Sequence, residues 1–314
     1  MLEILFLGTG ASIPSRERAM PCVAVRCGTE IILFDCGEGT QRQMMISPLS
    51  FMKVKGIFIT HMHGDHFLGL PGLLQTMGLS GRKDRLLVCG PEGLSAGLDA
   101  ILSVCEGDIG YELEVRELSH GERMEFDGFT VSAFRTDHTA PSFGYKLSEK
   151  DAKGRFNKKK AMELGLSPGP DYSKLHAGET VRGVTPEMVI GPSRPGYSVV
   201  YSGDTVPCAE LSDAAAGADI LIHESTFSEK ESKLASDHKH STSVQAAETA
   251  ERCGCGMLFL IHISNRYDDK GIIEEEAKAV FGNSVVPGDM DMYTVSDRTP
   301  KEGRGFRRLP PKGS

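Results

Sequence analysis

The chain has 314 residues, 39% hydrophobic and 25% charged, with a formal net charge of −8. This is ordinary globular composition, enough for one large α/β domain or two smaller ones. No apolar run approaches the roughly eighteen residues of a membrane span, which excludes that class. The start of the chain lacks a basic export segment, and the eight cysteines are scattered, so a reduced, cytoplasmic protein is expected.

The residues from Met1 to Leu7 read as a first strand, ending in Leu7-Gly8-Thr9-Gly10-Ala11. Ile13 stands where a dinucleotide fingerprint needs its third glycine, so this is a tight turn near a site and no nucleotide cofactor is expected. A loop with Arg16 and Arg18 follows. Val23 to Arg26 and Glu30 to Phe34 form a hairpin about Gly28-Thr29. Asp35 and Glu38, set among glycines, are assigned to capping and turn formation, before a helix from Gln41 to Ile46.

Gly56-Ile57-Phe58-Ile59 reads as a buried strand, and Thr60-His61-Met62-His63-Gly64-Asp65-His66 follows it directly. Alternation points His61 and His63 the same way, while Gly64 lets the chain turn so that Asp65 and His66 face a neighbouring position. Three imidazoles and a carboxylate in six residues suit zinc or a similar cation. Helices are expected over Phe67 to Leu79 and Pro91 to Ser103, with a strand at Leu86 to Cys89 between them. Tyr111 to Glu117, Glu122 to Phe126 and Thr130 to Arg135 read as a second, antiparallel set, ending in Asp137-His138.

From Lys146 to Arg194 the composition changes. Ten Lys/Arg against six Asp/Glu make this segment +4 and leave the remainder at −12. Lys158, Lys159 and Lys160 crowd its start, and Gly165 to Pro170 and further Gly/Pro pairs follow. Such a stretch is expected to build little core, and reads as a projecting arm inserted into a single domain spanning 1–314. Strands resume at Ser198 to Tyr201, Asp219 to Ile222 and Met257 to Ile261, with a last one at Met290 to Val295. Helices are expected over Ser243 to Arg252, capped by Thr242 or Ser243, and over Asp268 to Phe281.

Strand after strand ends in a residue able to bind metal: His61, His138, Asp204, His223-Glu224 and His262. Sites in layered α/β folds form where strand ends converge. Seven groups suit two ions: His61, His63 and His138 on one, Asp65, His66 and His262 on the other, with Asp204 shared. Such a pair suits in-line attack on a phosphodiester. Asp65 can also orient the attacking water or take its proton. His240, steadied by Glu224, is the candidate acid for the leaving oxygen. His223 is expected to satisfy backbone, and His120, His176 and His238 to lie on the surface.

These residues resemble the metallo-β-lactamase superfamily, and within it the tRNase Z family, in order over nearly the whole chain. His61-Met62-His63-Gly64-Asp65-His66 is similar to the superfamily signature. His223-Glu224-Ser225-Thr226-Phe227 with His240-Ser241-Thr242 is similar to the paired His-Glu-Ala-Thr and His-Ser-Thr loops of tRNase Z, as is His262-Ile263-Ser264-Asn265-Arg266-Tyr267 to its later ligand loop. The basic arm resembles the flexible exosite that grips the tRNA elbow. The loop Pro14-Ser15-Arg16-Glu17-Arg18-Ala19 resembles the one tied to cleavage position, with Arg16 for the usual Lys and Ala19 for the usual Asn. The resemblance implies an α/β fold with a four-layer αββα sandwich, two zinc ions per subunit, a homodimer, and cleavage of precursor tRNA that leaves a 3′-hydroxyl. It places Arg16, Arg18, Lys158, Lys159, Lys160, Gly165, Pro168 and Arg266 at the RNA. A basic arm on an otherwise acidic chain without Trp fits recognition of a folded RNA through its phosphates and shape. Two other readings remain open: a small phosphodiester or sulfate-ester hydrolase, and a non-catalytic RNA-binding protein with structural metals.

Overall fold

The computed structural model describes residues 2–104, 108–151, 153–267, 271–299 and 303–309. The strands are β1 (Leu2–Gly8), β2 (Cys22–Cys27), β3 (Glu30–Phe34), β4 (Val54–Phe58), β5 (Leu86–Gly90), β6 (Leu113–Glu117), β7 (Arg123–Glu125) and β8 (Phe129–Arg135). They continue as β9 (Phe143–Glu149), β10 (Ser198–Tyr201), β11 (Ile220–Glu224), β12 (Met257–Ile261), β13 (Ser284–Val285), β14 (Met292–Thr299) and β15 (Gly303–Leu309). One sheet runs β15-β14-β1-β2-β3-β4-β5-β6 and the other β13-β12-β11-β10-β9-β8-β7.

The sheets face each other through aromatic side chains. Phe34 of β3 stacks on Tyr201 of β10 and Tyr145 of β9 at 5.2 and 5.9 Å, and Phe6 of β1 meets Phe259 of β12 at 5.1 Å. Helices cover both outer faces, because strands apolar on both sides must be buried twice. On the first sheet Met44, Leu70, Leu74, Met77, Leu94 and Leu98 pack on the other faces of β1, β3, β4 and β5. On the second, Ala246, Ala247 and Ala250 of the helix Ser243–Cys253 lie against Leu221 and Leu258; three alanines in a row of turns let that helix come close. The result is the four-layer αββα sandwich.

Several local expectations change. The Tyr111 to Glu117 segment is β6, parallel to β5 in the first sheet, and not part of the second set. β9 was hidden by the change of composition at Lys146, and β15 by its arginines. The expected helix from Phe67 is two, Gly64–Phe67 and Leu70–Leu79, divided where Gly69 passes over Gly37. A Cβ on Gly69 would lie 1.9 Å from the Gly37 carbonyl oxygen, and one on Gly37 2.1 Å from that of Asp65. Those two glycines bring the His66 segment against the end of β3, where Cys36 N–H donates to His66 O at 2.8 Å. The helix expected from Pro91 begins at Leu94, since the Glu117 carboxylate accepts Gly93 and Ser95 N–H and fixes the start there. Thr242 caps the helix Ser243–Cys253 in a full capping box with Gln245. The helix expected from Asp268 runs Gly271–Val280; 268–270 lie outside the described residues.

Residues Glu149–Tyr197 form a compact unit distinct from the rest of the chain. Its helices are Lys158–Glu163, Pro170–Ala177 and Pro186–Val189, around Ala161, Leu166, Tyr172, Leu175, Val181, Val184 and Val189. The expectation of little core fails for a physical reason. Pro170 and Pro186 open helices and Gly178 closes one in the left-handed conformation, so the Gly/Pro residues mark helix ends while the apolar residues between them pack.

Candidate metal centre and active site

β3 and β4 run parallel, as do β10, β11 and β12, so their C-terminal ends open toward one cleft. His61 follows β4, Asp204 follows β10, Glu224 closes β11 and His262 follows β12. Asp35 and His262, each just past a strand, hold left-handed backbone with φ of 59° and 57°, which non-glycine residues adopt only when the surroundings enforce it.

All seven expected ligands meet. The donor atoms of His61, His63 and His138 lie within 4.8 Å of one another, as do those of Asp65, His66 and His262 and those of His61, His66 and Asp204. Asp204 Oδ2 is central, 3.3 Å from Nε2 of both His66 and His262, 3.8 Å from His61 and 4.0 Å from His138. His61 Nε2 and His63 Nδ1 are 2.9 Å apart, lone-pair atoms turned toward a common point.

The far nitrogens are equally ordered. His66 Nδ1 donates to Asp35 at 2.8 Å and His138 Nδ1 to the Lys239 carbonyl at 3.0 Å. Thr60 Oγ1 lies 2.9 Å from both Asp35 Oδ1 and His61 Nδ1. A carboxylate only accepts, so the hydroxyl donates to Asp35 and accepts from His61. With their outer nitrogens protonated, these imidazoles keep lone pairs on the inner ones, the arrangement metal-binding histidines require. The buried, converging N and O donors fit a metal centre.

Asp35 is the functional residue that the sequence reading assigned away. It is fully buried and accepts from Thr60 N–H, Thr60 Oγ1, His66 and the Tyr201 hydroxyl. The signal was present: like the other site residues it directly follows a strand.

Glu224 occupies the corresponding place on the second sheet. Its oxygens accept from Thr205 N–H, Thr226 N–H, Thr226 Oγ1 and His240 Nδ1 at 3.1, 3.1, 2.7 and 2.8 Å. Burial pulls the His240 imidazole down, but the Glu224 charge and hydrogen bond outweigh it and raise the pKa to about 9. Burial likewise opposes the Glu224 charge, yet His240 holds that carboxyl below its usual range. The pairing with Glu224 thus favours the charged imidazole, and the His240 ring borders a cleft of about 380 Å³ with His63, His138, Phe227 and Arg266. His223 Nδ1 donates to its neighbour's backbone as expected, 2.6 Å from the Glu224 carbonyl oxygen. His120 and His176 are exposed; so is His238, but it stands in the cleft wall.

The RNA candidates divide. Arg16 is exposed, and Arg266 is exposed above the Phe227 ring at 4.9 Å. Arg18 turns inward, donating to Thr9 Oγ1 at 2.5 Å and Pro287 O at 3.5 Å, so it braces its loop. The loop is also tied to the centre by Ser12 N–H, which donates to Asp65 Oδ2 at 2.8 Å. Lys158, Lys159, Lys160, Gly165 and Pro168 are exposed on the inserted unit.

The ribonuclease Z of Methanosarcina mazei is 45% identical over 297 residues, covering 92% of this chain and 97% of that protein. Those of Archaeoglobus fulgidus (46% over 303 residues, 94% and 98%) and Bacillus licheniformis (43% over 304, 94% and 99%) are similarly related. The chain belongs to the ribonuclease Z family. Residues 163–263 match the beta-lactamase superfamily domain, and 2–153 match the family described as anti-Pycsar protein Apyc1. Among solved structures, human tRNase Z, short form, aligns with a TM-score of 0.70 at 28% identity, over 93% of this chain and 98% of that one. The Bacillus subtilis metallo-beta-lactamase fold protein YhfI shares the fold at 16% identity and a TM-score of 0.68, over 93% and 98%.

Proposed function

We propose that this chain, a tRNA 3′-processing endoribonuclease of the metallo-β-lactamase fold, cuts precursor tRNA after the discriminator base with two zinc ions per subunit. The products would be a tRNA 3′-hydroxyl and a 5′-phosphorylated trailer. One observation carries the reading: seven metal-binding groups converge beside a separate His240–Glu224 pair, in one cleft, on a chain of the ribonuclease Z family. His61, His63 and His138 would hold one ion and Asp65, His66 and His262 the other, with Asp204 between them. Bound zinc supplies Lewis acidity toward phosphoryl oxygens and lowers the pKa of water to about 7.

The chain's own residues divide the remaining work. Asp65, oriented by Ser12 N–H, takes the proton of the attacking water. His240, protonated and backed by Glu224, donates a proton to the departing 3′-oxygen at the cleft wall. Lys158, Lys159 and Lys160 supply phosphate contacts that bind without reading sequence, alongside Gly165, Pro168, Arg16 and Arg266. Arg18 acts by holding the Arg16 loop. A homodimer acting in the cytoplasm belongs to the same reading, and sedimentation of the purified chain tests the dimer. Among the described residues no helix is long and apolar enough to cross a membrane.

The test is incubation with a 5′-labelled precursor tRNA bearing a short 3′ trailer, with zinc and with chelator. One chelator-sensitive product ending in a 3′-hydroxyl at the discriminator base is expected. No cut, with turnover of a nitrophenyl phosphodiester, would replace this reading with a small-ester hydrolase.

A further inference from the structure

We infer that Thr226 is a positioning residue whose single hydroxyl couples the metal-side imidazole of His262 to the Glu224–His240 pair. Thr226 lies two residues past Glu224 and is buried. Its Oγ1 is 2.7 Å from Glu224 Oε2, 2.8 Å from His262 Nδ1 and 3.2 Å from His240 Nδ1. A hydroxyl has one proton to give and two lone pairs. An ionised carboxylate accepts only, so that proton goes to Glu224. His262 Nδ1 must then be the donor of its own bond, which leaves the lone pair on Nε2. That atom lies 3.3 Å from Asp204 and 3.5 Å from Asp65.

The same residue acts on the other side. Thr226 N–H and Oγ1 both donate to Glu224 Oε2, which fixes the carboxylate and leaves Oε1 to His240 and Thr205 N–H. One carboxylate thereby orders two imidazoles with different tasks, directly for His240 and through the hydroxyl for His262. Thr60 makes a similar link from His61 to Asp35, but the second imidazole on Asp35 is the metal-side His66. Thr60 therefore orders ligands alone.

The metal half of this inference stands on geometry, and the proton half rests on the tRNA-processing reading. The experiment compares wild type with Thr226→Val, Thr226→Ser and Thr60→Val. It measures zinc retained per chain against graded concentrations of a fluorescent zinc chelator, and kcat on precursor tRNA and on bis(p-nitrophenyl) phosphate. Thr226→Val should weaken zinc retention by about 10–100-fold, the usual cost of losing a ligand's hydrogen-bond partner. It should also lower kcat on the tRNA, whose leaving oxygen needs a proton, more than on the nitrophenyl ester, whose leaving group does not. Thr226→Ser should restore both, and Thr60→Val should weaken zinc while lowering the two substrates in proportion. Unchanged zinc retention in Thr226→Val overturns the inference, and so does a proportional loss on both substrates. Equal damage from Thr226→Ser does the same, even where Thr226→Val does not fold, because it assigns the residue to packing. If wild type leaves precursor tRNA uncut, the tRNA-processing reading fails, while zinc retention still decides the role of Thr226.

Discussion

Asp35 on the first sheet and Glu224 on the second are built alike and used differently. Each is a buried carboxylate at a strand end, and each orders one imidazole directly and a second through a threonine hydroxyl. On the first sheet the pair is His66 and His61, both turned inward on Asp204. On the second it is His262, turned inward, and His240, which borders the cleft. On the proposed mechanism the difference separates two tasks. A carboxylate behind a fully buried histidine fixes a lone pair, whereas one behind a cleft histidine stabilises a transferable proton.

Asp204 is where the two halves meet, so its loss should have the largest effect. Asp204→Ala should release zinc from both halves and reduce precursor-tRNA cleavage by about 10³-fold or more, several kcal/mol of transition-state stabilisation. Activity within tenfold of wild type, with zinc retained, would remove it from the centre. His240→Ala should come next, at about 10²–10⁴-fold on the tRNA, the range of a lost general acid. On the nitrophenyl diester it should cost less than about tenfold, with zinc retention unchanged. Asp35→Asn should do the reverse: zinc retention weaker by about 10–100-fold, and both substrates slowed alike. If Asp35→Asn and His240→Ala give the same substrate profile, the two carboxylates do not have separate tasks.

The sequence made one half of this arrangement more legible than the other. All seven converging groups could be read because each follows a strand or sits in the His61 to His66 cluster, and strand ends in parallel sheets must converge. Glu224 was legible through the same rule, and His240, on a loop that opens a helix, through its expected pairing with Glu224 and the tRNase Z resemblance. Asp35 was not, although it also follows a strand, because glycines nearby made a turn the simpler explanation. Its role depends on Gly37 and Gly69 letting the His66 segment close onto it, a contact across 31 residues that no local pattern encodes. The inserted unit departs from expectation for the opposite reason: its Gly and Pro residues mark helix ends, and the apolar residues spaced between them pack together. Hydrogen bonds through Thr60 and Thr226 leave no mark in periodicity at all.

A smaller effect should separate binding from chemistry. Lys158, Lys159 and Lys160 are exposed on the inserted unit, in a stretch from Lys146 to Arg194 where ten Lys/Arg outweigh six Asp/Glu. Replacing all three with alanine should raise KM for precursor tRNA and make the slope of log affinity against log salt shallower by about 2–3, roughly 0.7–0.9 for each of the three lost phosphate contacts. Turnover of the nitrophenyl diester should not change, since neither carboxylate relay is touched. An unaltered salt slope would move the RNA grip elsewhere.

The smallest effect concerns the two arginines of the loop beside the centre. Arg16 is exposed, whereas Arg18 donates to Thr9 Oγ1 and Pro287 O. Asp289, beside it, accepts from Thr9 N–H, Thr9 Oγ1 and Ala19 N–H at 3.0, 2.8 and 2.6 Å, so one half-buried carboxylate and one inward cation close the base of the loop. Arg18→Ala removes the cation and leaves the Asp289 charge half-compensated, for about 1–3 kcal/mol of stability. Arg16→Ala breaks no side-chain hydrogen bond among the described residues and should leave the melting temperature unchanged while raising KM for tRNA a few-fold. Thermal denaturation of the two variants, with tRNA kinetics alongside, tests the division. A stable Arg18→Ala protein with weakened tRNA binding would return Arg18 to the RNA and make Arg16 the solvated one.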